Sequence, residues 1–169
     1  MGSVYEKFEK SMILTRDQQA EVFDRFTGWQ DFGLHIAAVK VGWVGDVVYV
    51  VADFGDFNIT TKTSIEQQEA KHWYDDCFVT YCGLAGGERI QEVPGVVKAN
   101  NAVDAGIDYI IAKIERDQFF VCKDCTGILG EIWDYSRDEN NQIVKVNDHY
   151  MDAMRYAIFS AATSGVVMG

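Results

Sequence analysis

Three residues near the end of the chain have the types and spacing for metal chemistry. In the segment DHYMDAMRYA, Asp148 and Asp152 are four apart and His149 and Asp152 are three apart. On a helix those intervals bring side chains onto neighbouring turns of one face. Arg155 and Tyr156 continue that face, whereas Met151, Met154 and Ile158 form a second stripe suited to packing on a sheet. Two carboxylates and an imidazole at a helix start, turned away from the core, could hold a hard divalent cation through oxygen, with the histidine supporting it or a bound water. The same residues also fit a plain surface helix. Acids in a first turn meet the helix dipole favourably, and Asp152 with Arg155 makes an ordinary ion pair. The helix alone does not separate these readings.

The elements that must position this helix can be read upstream. His35 to Val41 and Val47 to Asp53 are β-rich runs joined by Gly42 to Asp46, which predicts a hairpin apolar enough for a covered sheet. Thr63-Ser64 caps a predicted helix to about Tyr74, followed by a buried strand from Cys77 to Cys82. Pro94-Gly95 marks a turn into another short strand. Val103, Ile107, Ile110, Ile111 and Ile114 recur at helical spacing within 101–117. A strand at Phe119 to Cys122, a helix from Gly127 to Tyr135, a polar loop and a brief extended piece at Ile143 to Val146 then lead to the last helix. That helix is expected from Asn147 or Asp148 to about Ala162. Before the hairpin, residues 4 to 26 read as a lead-in with a short capped helix from Gln18 to Phe26. Alternating strands and helices after a hairpin predict an α/β domain, a mixed sheet with helices on both faces, and the order fits a ribonuclease H-like architecture. The expected division is a lead-in over 1–25, the domain over 26–163 and a tail over 164–169.

Composition narrows the function classes. With 169 residues, 48% hydrophobic and 24% charged, the chain suits one folded domain rather than disorder. Its net charge of −11 argues against a general nucleic-acid binder, which needs positive charge to displace counterions from phosphate. Any DNA contact must be local, or bridged by metal ions that invert the local charge. No G-x-x-x-x-G-K-[ST] phosphate loop is present, so no ATPase is expected in this chain. Cys122 and Cys125 form a C-x-x-C pair, but Cys77 and Cys82, five apart in a predicted strand, would face opposite sides. Buried reduced thiols are the favoured reading over zinc. No apolar stretch approaches a membrane span. Met1-Gly2-Ser3 reads as a remnant of an expression tag, which would make the chain a piece of something longer.

The segment DHYMDAMRYA resembles the last motif of the viral large terminase nuclease domain, where an acid, a histidine, two residues and Asp-Ala-x-Arg-Tyr-Ala open the final helix. Gly106-Ile107, Phe119 to Lys123, Glu131 and Tyr135 resemble that family's order of elements before the motif. Gly28-Trp29-Gln30-Asp31-Phe32-Gly33 resembles its opening Gly-x-Asp-x-Gly on the first strand, with one residue more between glycine and aspartate. The resemblance spans roughly residues 26 to 160. It implies that Asp31 and Asp152 are metal-binding catalytic acids and that His149 stands beside the metal or ligates it. A third acid ends the middle strand in many relatives. Here that place holds Tyr81, Cys82 or Gly83, and we take Glu88 in the following glycine-rich loop as the candidate, with Asp75 and Asp76 lying before the strand. Each has a plainer reading: Asp31 as a turn cap, Glu88 as a solvated acid paired with Arg89, His149 as a capping or packing residue.

The implied activity is endonucleolytic cutting of double-stranded DNA by two Mg²⁺ or Mn²⁺ ions about 4 Å apart. The implied partners are an N-terminal ATPase domain of the full-length protein, a portal protein and a small terminase subunit, and the implied location is the cytoplasm of the infected host cell, with no membrane. Lys98, Lys123, Arg137, Lys145 and Arg155 are the candidate phosphate contacts, each with solvated surface as its default reading. Two rivals stand beside this: a cellular ribonuclease H-like or junction nuclease, and a degenerate domain that only docks DNA or the portal. The lack of an acid at Tyr81 to Gly83 keeps the last one open.

Overall fold

Why the chain makes a sheet is clearest at the hairpin. In the computed structural model, which describes residues 2–19, 26–31, 35–83 and 92–165 (backbone alone for 26–31, 35 and 78), strands His35–Val44 (β3) and Val47–Phe57 (β4) pair antiparallel. They join through Gly45-Asp46, with Gly45 at φ 57°, the left-handed conformation that two-residue hairpin loops need. Both strands outrun the predicted limits. Ala37, Val39, Val41 and Trp43 turn one face of β3 into the main core, while Ile36 on the other face joins Ile65, Cys82 and Val93 in a second cluster.

The remaining elements are Ile13–Leu14 (β1), Phe26–Asp31 (β2), Thr61–Ala70 (α1), Cys77–Cys82 (β5), Val96–Lys98 (β6), Val103–Glu115 (α2), Phe119–Cys122 (β7), Thr126–Glu131 (α3) and His149–Ser164 (α4). The seven strands form one mixed sheet in the order β1-β7-β4-β3-β2-β5-β6, antiparallel through β4-β3-β2 and parallel at both ends. The expected α/β layering is present: α1 covers one face through Ile65, and α2, α3 and α4 cover the other through Ile107, Ile110, Ile128, Met151, Met154 and Ile158. Among the described residues no helix is long and apolar enough to cross a membrane.

Several local readings shift. Helix α1 starts earlier than Thr63 because Thr60 is the cap, its Oγ1 accepting the Thr63 N–H at 3.1 Å. The interior side of this helix is polar yet satisfied, with Gln68 donating to Ser64 and accepting from Tyr74. Around Ile143 there is only an isolated bridge to Arg137 rather than a strand. The residues read as a lead-in are structural: Tyr5, Phe8 and Met12 are buried, Tyr5 stacks on Tyr135, and β1 extends the sheet beside β7. The helix expected from Gln18 to Phe26 lies mostly in 20–25, outside the described residues; a short 3-10 turn occupies Arg16–Gln19, and Phe26 already belongs to β2. Cys82, Cys122 and Cys125 are buried, and burial pushes the thiol of half-buried Cys77 up to about 11.

Candidate metal centre

The site is built around the start of α4. The chain enters through Asn147 in the left-handed region, which asparagine tolerates better than most residues, and Asp148 stands at the N-cap. Asp148 makes no side-chain cap bond. Its carboxylate is buried and lies 3.5 Å from Lys145 Nζ. The first-turn N–H groups are met from another helix: Glu131, the last residue of α3, accepts the Met151 N–H at 3.1 Å and also the Tyr150 N–H. Such groups have no partner within their own helix, so a buried carboxylate aimed at them fixes where α4 begins.

A second device seats the same turn. The Tyr150 ring lies against Gly55 of β4 and Gly127 of α3 so closely that a Cβ at either position would overlap it. A glycine inside a strand often marks such an approach. Helix α3 is tied down in turn by Asp53 of β4, which accepts the Ile128 N–H at 2.9 Å and the Gly127 N–H. Thus β4 fixes the start of α3, and the end of α3 fixes the start of α4.

Electrostatically this corner is crowded with acid. Burial pushes the Glu131 carboxyl up to about 8, against its backbone hydrogen bonds and with help from Asp148 and Asp152. Asp152 is also held above the usual carboxylate range by burial, opposed by the charges of Arg155 and Lys145. Burial and mutual repulsion discourage these carboxyls from ionising, and a hard cation near Asp148 and Asp152 would relieve that cost.

Asp31 ends β2, directly opposite Ala37, which is in turn opposite Gly55. That rung therefore leads, two strand spacings or about 10 Å away, to the glycine on which Tyr150 rests. Helix α4 packs across β2 and β3, so the start of α4 and the Asp31 end of β2 belong to one region of the sheet. The end of β5 is there too, since Gln30 pairs with Cys82 and Gly83 follows beside Asp31. No acid occupies 77–83; Cys82 is buried and the Tyr81 hydroxyl is bonded to Ser164. Glu88 lies outside the described residues, as does the side chain of Asp31. Among the described residues no three His, Cys, Asp or Glu side chains form a metal-binding group. His149 is half-buried at the first residue of α4.

The expected phosphate contacts do not make one surface. Lys98 and Lys123 are exposed but stand at opposite margins of the sheet, on β6 and just after β7. Arg137 pairs with Asp104 at 3.0 Å, and Lys145 with Asp148. Arg155 corrects the expectation most clearly: only 2% exposed, it pairs with Asp152 inside the protein, so the face it was expected to continue toward solvent is covered. Glu131, Tyr150 and Asp53 were not singled out as site residues. Gly55 within an apolar strand was the available signal.

No family model and no curated protein matches the sequence. Solved structures do. The large terminase of a thermophilic bacteriophage, in complex with ATP-γ-S, superposes with a TM-score of 0.82 at 19% identity over 95% of this chain and 45% of that one. The nuclease domain of the bacteriophage P22 large terminase gives 0.79 at 22% identity, covering 96% of this chain and 93% of its own. The large terminase nuclease domain of bacteriophage SPP1, with bound Mn, gives 0.69 at 17%, covering 89% and 93%. Strand order and helix placement define a ribonuclease H-like α/β domain. More particularly, the chain has the fold of large terminase nuclease domains and spans about 45% of the length of the first of these proteins.

Proposed function

We propose that the chain is the nuclease domain of a viral DNA-packaging terminase, an endodeoxyribonuclease that cuts double-stranded DNA with two divalent ions, Mg²⁺ or Mn²⁺. What supports this reading is that the β2 end, where Asp31 stands, shares a rung of the sheet with Gly55, the glycine on which the first turn of α4, bearing His149 and Asp152, is seated. The Mn bound to the SPP1 domain supports a divalent ion. Asp31 and Asp152 would hold the ions, His149 would ligate or support one, and Glu88, in the sequence that follows β5, would complete the set. When bound, such ions activate a water and stabilise the leaving oxygen. The chain's own contribution at Asp152 is to hold one carboxylate oxygen through Arg155 and to keep the residue half-buried. An ATPase domain elsewhere in the full-length protein, a portal protein and a small terminase subunit are the proposed partners, and the host cytoplasm the proposed location.

Nicking of supercoiled plasmid in Mn²⁺ tests this, comparing the intact chain with Asp31→Ala, Asp152→Ala and Glu88→Ala. Loss in the first two is expected, and equal activity throughout would sink the metal site. Absence of an acid at the β5 end favours one alternative, a degenerate domain that docks DNA or the portal, for which the intact chain would neither cut nor bind Mn²⁺. Cleavage confined to RNA hybrids or four-way junctions would instead favour a cellular ribonuclease H-like enzyme.

A further inference from the structure

We propose that Arg155 is a positioning residue of the metal centre, buried so that its guanidinium holds one oxygen of Asp152 and leaves the other to meet the ion. This rests on the reading of Asp152 as a ligand. The Arg155 Nη1 donates to Asp152 Oδ1 at 2.9 Å, and the arginine is 2% exposed. Removing a guanidinium from water is costly, and well-packed apolar residues in place of a buried ion pair are often neutral or stabilising. Arg155 Nε is moreover buried without a hydrogen-bond partner, which is not the arrangement of greatest stability. What the arginine does secure is the direction of one carboxylate.

The surroundings are shaped to house it. The Tyr156 ring stands 4.6 Å from the guanidinium carbon, and Tyr135 lies within its electrostatic reach. On the opposite side α2 presents Gly106, where an added Cβ would sit 2.7 Å from Arg155 Cγ and 2.9 Å from Cδ. A side chain of almost any kind at 106 would push the arginine stem, so the glycine keeps open the channel through which the charged end reaches Asp152. Because Arg155 and Asp152 are three apart on α4, a displaced stem moves the hydrogen bond without leaving the helix. This arrangement orients a ligand in the way that residues hydrogen-bonded to metal ligands do elsewhere.

The test is Mn²⁺ binding by calorimetry, well below the melting temperature of each protein, for the intact chain, Arg155→Met, Gly106→Ala and Asp152→Ala. Loss of a partner that orients a ligand typically weakens metal binding ~10–100-fold, the range expected for Arg155→Met, with Gly106→Ala weaker than the intact chain by a smaller factor. In plasmid cleavage both should lower kcat with little change in KM for DNA. Asp152→Ala weakened while Arg155→Met and Gly106→Ala bind as the intact chain does would overturn the positioning role and leave the nuclease reading standing. Asp152→Ala binding like the intact chain would overturn both. If Arg155→Met shows no cooperative melt, Gly106→Ala decides: folded with weaker binding supports the proposal, and folded with unchanged binding overturns it.

Discussion

The start of α4 and the end of β5 meet the same region of the sheet but are built in opposite ways. At α4 the carboxylate of Glu131 holds two backbone N–H groups, Tyr150 fills a recess floored by two glycines, and Arg155 grips Asp152 from beneath. At β5 the strand runs out on buried Cys82 and Gly83, with no acidic side chain within 77–83. The difference separates two ways of placing a ligand. A helix start can be over-determined by partners on neighbouring elements, so the ligand arrives oriented. A strand end delivers whatever residue its register dictates, and here that residue has no carboxylate. The proposed site thus draws its rigidity from one side, and its third acid must come from beyond the strand.

The largest expected effect is on chemistry at the rigid side. Asp152→Ala should remove several kcal/mol of charge stabilisation, about 10³-fold in cleavage rate, measured by plasmid nicking in Mn²⁺; a loss under threefold would break the comparison. Next is the glycine recess. Gly127→Ala forces a methyl group into the Tyr150 ring, and overpacking of this kind costs ~1–3 kcal/mol, to be read in urea melts alongside weaker Mn²⁺ binding. The opposite side is sharpened by Gly83→Asp, which should tighten Mn²⁺ binding several-fold if the strand end is the missing corner; no change would remove the strand end as that corner.

Two further effects concern stability alone. In chelator, between the ordinary glutamate value of 4.5 and about 8, the folded chain keeps a proton on Glu131 that the unfolded chain has released. Stability should therefore decline as pH rises through that window and level off above it, and Glu131→Gln should flatten this part of the profile in melts from pH 4 to 9. The smallest is Thr60→Ala, at the cap of the helix on the sheet's other face, which should cost ~1 kcal/mol through the lost α1 cap and leave Mn²⁺ affinity unchanged.

Much of the fold was legible because its signals are local. The hairpin announced itself by two β-rich runs around Gly45, α2 by isoleucines at helical spacing, and α4 by its methionine stripe. Asp152 and Asp31 were singled out through the resemblance of their segments to the terminase motifs, since type and spacing on the last helix fit a plain surface helix equally well. What escaped was set by contacts far apart in sequence. Tyr5 and Phe8 carry no period that shows them packing on Tyr135, Phe119 and Trp133. Glu131 reads as a surface acid until α3 is folded against α4. Arg155 has the look of a solvent-facing cation, since spacing on one helix says nothing of a second helix whose glycine opens a space for it.

The strand order has a consequence for behaviour in concentrated solution. Among the described residues the outermost strands of the sheet are β1 and β6, two and three residues long. Short edge strands are one of the ways proteins discourage another sheet from zipping on, and with a net charge of −11 repelling like copies, the domain is expected to resist strand-to-strand aggregation.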